Sequence, residues 1–139
     1  MKYIGILIIV LALVIGILPQ FTDCQSQGRA ITTADGKTVP MKCHWTAVAE
    51  LILAIPLAAI GGMLFFSKRR ETRLSLSVLG ALIGVFVVLI PTTLIGVCAS
   101  SMMLCNNLMM PTLVLVGILV VAAGLVNGFL AYRSKETMA

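Results

Sequence analysis

The chain has 139 residues, of which 60% are hydrophobic and only 11% charged, with a formal net charge of +5. Its mean hydropathy is +1.10. So short and apolar a chain cannot hide its surface inside one water-soluble core, which excludes a soluble domain and points to membrane spans.

Four runs reach the roughly 20 residues that cross a bilayer core of about 30 Å. They cover residues 3–20, 45–66, 74–97 and 108–132 of one membrane domain, 1–139. In lipid each backbone polar group must be satisfied within its own segment, so the runs are expected to be helices. The predicted fold class is all-α, a four-helix transmembrane bundle.

Run one follows Lys2 and ends near Pro19 in "LPQFTDC". It lacks an A-x-A-like cleavage pair, and Asp23 before Cys24 makes a poor lipobox, so it reads as an uncleaved span. Loop one, residues 21–43, carries Cys24 and Cys43 at its two ends.

Run two is entered through "KCHWTAVAE", residues 42–50, which spans the end of loop one and the start of the run and holds the only histidine and the only tryptophan. His44, Trp45, Thr46 and Glu50 thus form a candidate functional cluster beside Cys43. Glu50 is the only acid inside a run. Three readings stay open for it: an acid favoured by the helix dipole with Thr46 near the cap, a hydrogen-bond tie between helix two and loop three, or proton or substrate chemistry. Pro56 is expected to kink the helix.

The connection "SKRRETR" brings Lys68, Arg69, Arg70 and Arg73. Run three carries Gly80 and Gly84 in "GALIG", then Pro91 beside Thr92 and Thr93. Pro91 frees the carbonyl of Val87, which the threonine hydroxyls are placed to re-satisfy. Loop three, "CASSMMLCNN", is bounded by Cys98 and Cys105. Run four starts near Pro111, harmless in a first turn, and carries Gly124 and Gly128 in "GLVNG". The two G-x-x-x-G pairs predict close contact of helices three and four, with Asn127 as a polar tie.

Seven basic residues (Lys2, Lys68, Arg69, Arg70, Arg73, Arg133 and Lys135) fall on one side of this arrangement. Three (Arg29, Lys37 and Lys42) fall on the other. The positive-inside rule therefore places both termini in the cytoplasm and the cysteine loops outside. The net charge reflects topology and is no argument for nucleic-acid binding. Tyr3, Phe65, Phe66 and Tyr132 are expected at the inner boundary, and Phe21 and Trp45 at the outer one.

On the oxidising side the four cysteines read first as structural disulfides. Pairing within each loop, Cys24–Cys43 and Cys98–Cys105, is favoured among three connectivities. Thiol–disulfide exchange is an alternative, in outline similar to quinone-linked membrane oxidases, but the C-x-x-C spacing that activates a thiol is missing. Metal binding is a third reading, since Cys, His44, Met102, Met103, Met109 and Met110 are soft ligands that suit monovalent copper. The spacing C-x6-C fits no standard metal knuckle. No cofactor is implied.

The blocks "KCHWTA-x-AE", "IP-T-x-LIGVC" and "MMLCNNLMMP" resemble a bacterial four-span membrane family, domain-of-unknown-function family 4418. By that resemblance the signature positions are Pro19, Gln20, Cys24, Cys43, His44, Trp45, Thr46, Glu50, Pro91, Gly96, Cys98, Cys105 and Pro111. Family members are often encoded beside macrolide-exporter-type ABC transporters. The resemblance implies an accessory subunit of the bacterial cytoplasmic membrane. Its partners would be the lipid bilayer and either a transporter permease or a second copy of itself.

Overall fold

A computed structural model describes the backbone of residues 2–22, 31–32, 34–36, 38–39, 42–96 and 105–138, and the side chains of 2–22, 34–36, 44–96 and 106–133. Four helices dominate: α1 (Lys2–Thr22), α2 (Lys42–Phe66), α3 (Arg70–Leu89) and α4 (Met110–Met138). Each contains a stretch long and apolar enough to cross a membrane. The fold is a four-helix membrane bundle, and the chain is a multi-pass membrane protein. Between α1 and α2 a two-residue ladder pairs β1 (Ile31–Thr32) antiparallel with β2 (Thr38–Val39), in the register Ile31↔Val39. Gly36 turns that hairpin at φ +78°, a left-handed conformation that glycine adopts without steric cost.

The bundle is built from two antiparallel hairpins, α1 with α2 and α3 with α4, which pack far more extensively within themselves than against each other. Small residues explain how the helices approach. A Cβ placed on Gly5 of α1 would lie 2.9 Å from the Gly61 carbonyl oxygen, and one on Gly61 would lie 3.0 Å from that of Gly5. In the second hairpin a Cβ on Gly84 would lie 2.8 Å from Val121 Cγ2, and one on Gly124 would lie 3.0 Å from the Ser77 carbonyl oxygen. With no hydrophobic drive between helices in lipid, such backbone proximity is what holds them.

The two G-x-x-x-G pairs do not meet as pairs. Gly80 faces Ile60 of α2, and Gly128 has ordinary clearance from Ser77. Gly84 instead meets α4 around Gly117, whose added Cβ would lie 3.2 Å from the Gly84 carbonyl oxygen. Asn127 is buried and donates from Nδ2 to Ser77 Oγ at 2.6 Å, while Ser77 Oγ donates to the Arg73 carbonyl at 2.6 Å. At the basic end Arg70 Nε donates to the Ala131 carbonyl at 2.8 Å.

Pro111 lies in the first turn of α4 as expected, while Pro19 and Pro91 are absorbed differently from their sequence reading. Pro19 does not end α1, which runs on to Thr22. One missing amide in the last turn is tolerated there, and Thr22 Oγ1 donates to the Leu18 carbonyl at 3.0 Å. α2 continues through Pro56. At Pro91 the helix widens into a π-helical turn, Ile90–Leu94, closed by Ile95 N–H donating to the Ile90 carbonyl at 3.0 Å. The threonine hydroxyls bond Val88 and Leu89, not Val87. A hydroxyl reaches back three or four residues, so Val87 could be served only from positions 90 and 91, which are isoleucine and proline. A second π turn, Cys105–Met109, leads into α4.

Aromatic side chains cluster at the helix ends and face outward: Tyr3, Phe66 and Tyr132 at one end, Phe21 and Trp45 at the other. That is the distribution expected of a bilayer belt.

Candidate functional site

α2 begins at Lys42, three residues ahead of the apolar run. The early start changes the chemistry of "KCHWTAVAE". Thr46 lies in the second turn, so it is no cap. Its hydroxyl donates instead to the Gly96 carbonyl at 2.8 Å. Gly96 stands at φ +80° just past the π turn, a conformation that L side chains rarely adopt, and this aims its carbonyl at α2. One residue along, the Ala47 carbonyl accepts from Gln20 Nε2 at 3.2 Å. Two neighbouring residues of α2 thus tie down the end of α1 and the end of the α3 extension.

Trp45 is 55% exposed, and its ring meets that of His44 edge-on at 5.9 Å. His44 is half-buried beside it.

Glu50 lies one turn below Thr46 on the same face, about 6 Å deeper at 1.5 Å per residue. It is 0% exposed, and neither Oε1 nor Oε2 has a hydrogen-bond partner among the described residues. It is too far along α2 to complement the first turn of the helix. The other buried polar side chains among the described residues, Thr22, Thr46, Ser77 and Asn127, all make hydrogen bonds. Buried polar groups are satisfied as a rule, so an exception calls for an explanation.

Cys24 and Cys98 lie outside the described residues, as do the side chains of Cys43 and Cys105. The disulfide pairings therefore fall outside the described part. Among the described residues no three His, Cys, Asp or Glu side chains come together to hold a metal.

His44, Trp45, Thr46 and Glu50 lie at one helix end as expected, but Thr46 bonds the Gly96 carbonyl and does not cap the helix. Gln20 and Gly96 entered only through the family resemblance. The sequence signal for Gly96 was its place between an apolar helix and a cysteine loop, where a left-handed residue ends helices. Gly5, Gly61, Gly117 and Ser77 were missed. Single small residues in apolar runs carry no pattern until their neighbours in space are known.

The model of the family described as domain of unknown function (DUF4418) matches residues 4–130. No curated protein and no solved structure matches the chain.

Proposed function

The chain belongs to the DUF4418 family, and from that premise we propose that it is a non-enzymatic accessory or assembly subunit of the bacterial cytoplasmic membrane. Its working part is the outer end of the seam between the two hairpins. The observation that supports this reading is the enclosed carboxyl of Glu50, which has no partner among the described residues, in a chain whose other described buried polar side chains are bonded. A group left unsatisfied inside one chain is suited to a donor that arrives from another. The outer ends of the two hairpins meet beside Glu50, where the Thr46 hydroxyl donates to the Gly96 carbonyl.

In this reading both termini and the "SKRRETR" loop face the cytoplasm, and the cysteine loops face outward. The partner is the membrane part of an ABC-type transporter or a second copy of this chain. The test is stoichiometric. The tagged chain is extracted from its native membrane in lipid nanodiscs, and particle mass is measured. Particles heavier than one chain by a defined membrane subunit, lost for Glu50→Gln, support the reading. Particles holding one chain alone, for wild type and variant alike, refute it. A reporter joined at the C-terminus and active only outside the cytoplasm would overturn the orientation.

A further inference from the structure

At the other end of the bundle, a groove of about 510 Å³ runs along α2 to the start of α3. Its wall is Ala59, Gly62, Met63 and Phe66, and it ends at Ser67 and Thr72. The four α2 residues follow the 3, 1, 3 spacing of one helix face. Met63 and Phe66 are exposed. Gly62 keeps the groove open, because a Cβ added there would meet nothing within 4 Å.

Charge gathers where the groove ends. Residues 67–73 carry four cations, Lys68, Arg69, Arg70 and Arg73, against the single acid Glu71. Arg70 and Arg73 are turned into the fold, their Nε atoms bonding the Ala131 and Ser67 carbonyls at 2.8 and 3.0 Å. Lys68 and Arg69 are exposed. The apolar trough thus ends in two hydroxyl side chains, Ser67 and Thr72, and the exposed cations Lys68 and Arg69 directly follow Ser67 in the chain.

We propose that this groove is a binding site for one anionic phospholipid. An acyl chain lies along Gly62 and Met63, and the headgroup phosphate meets Lys68 and Arg69 with the Ser67 and Thr72 hydroxyls. The charge complementarity selects the occupant. A zwitterionic lipid fills the trough equally well but gains little from the cations. An acidic headgroup gains from both. The site is independent of Glu50 and stands at the opposite end of α2.

The test uses the purified full chain and native mass spectrometry with phosphatidylglycerol or phosphatidylcholine in the same detergent. Wild type is expected to retain phosphatidylglycerol preferentially. Each cation removed, as K68Q or R69Q, should weaken that retention about fivefold. Gly62→Leu should lower retention of phosphatidylglycerol while leaving every charge in place, and its helical content, read by circular dichroism, shows that it folds. Glycerol phosphate in excess should not displace the lipid. Equal retention of both lipids, or Gly62→Leu behaving as wild type, would overturn the proposal. Displacement by glycerol phosphate would also overturn it, by showing a bare phosphate site.

Discussion

Replacing Glu50 by methionine should make the isolated protein more stable. The side chain is fully enclosed, and neither carboxyl oxygen has a partner among the described residues. A buried polar group without a hydrogen bond costs about 1–3 kcal/mol. Placing an acid in a membrane helix costs roughly 2.5–3.5 kcal/mol at the bilayer centre and less toward the edge. Methionine has similar length and fills irregular gaps, so the exchange adds little cavity. The expected gain for Glu50→Met is about 1–3 kcal/mol. One turn away the sign reverses. Thr46→Val removes a satisfied bond between the hairpins and should cost about 0.5–1.5 kcal/mol. Both are measurable by titrating mixed micelles with a denaturing detergent while following helicity and the fluorescence of Trp45, the only tryptophan. If Glu50→Met loses more than about 1 kcal/mol, the carboxyl is bonded within the chain and the reasoning fails.

Glycine substitutions should separate by geometry. Gly84→Ala places its Cβ 2.8 Å from Val121 Cγ2 and 3.1 Å from the Val121 nitrogen, for a loss of about 1–3 kcal/mol in the same titration. Gly62→Ala meets open space and should be neutral or stabilising by up to about 1 kcal/mol. A double-mutant cycle on Ser77→Ala and Asn127→Ala should give a coupling near 0.6 kcal/mol, typical of bonds between membrane helices; a coupling of zero would mean the pair is not formed. Peptide mapping without reductant should join Cys24 to Cys43 and Cys98 to Cys105, and four freely alkylated thiols would contradict that pairing.

The helices were legible because apolar runs of membrane length allow little else. Their ends were not. Lys42, Cys43 and His44 read as loop by polarity, yet they form the first turn of α2, and this shift removes Thr46 from the cap and Glu50 from the helix dipole. The π turn at Pro91 had a visible cause in the proline, whereas the one at Cys105–Met109 had none. Asp35 and Gly36 are a common hairpin-turn pair, but the strands beside them are two residues each, too short to show alternation. The close approach within each hairpin was only partly legible, because it depends on which glycines face which helix. Gly80 and Gly84 are one turn apart, yet they face different neighbours.

In the proposed function Glu50 receives its partner from another chain at the outer seam. Its most direct test is a photocrosslinking residue at position 45, exposed and next to Thr46, compared in native membranes for wild type and Glu50→Gln. The expected result is a crosslink to one defined membrane protein, or to a second copy, that is strongly reduced by Glu50→Gln. Crosslinks to lipid alone, or protein crosslinks of equal yield in both forms, would contradict it.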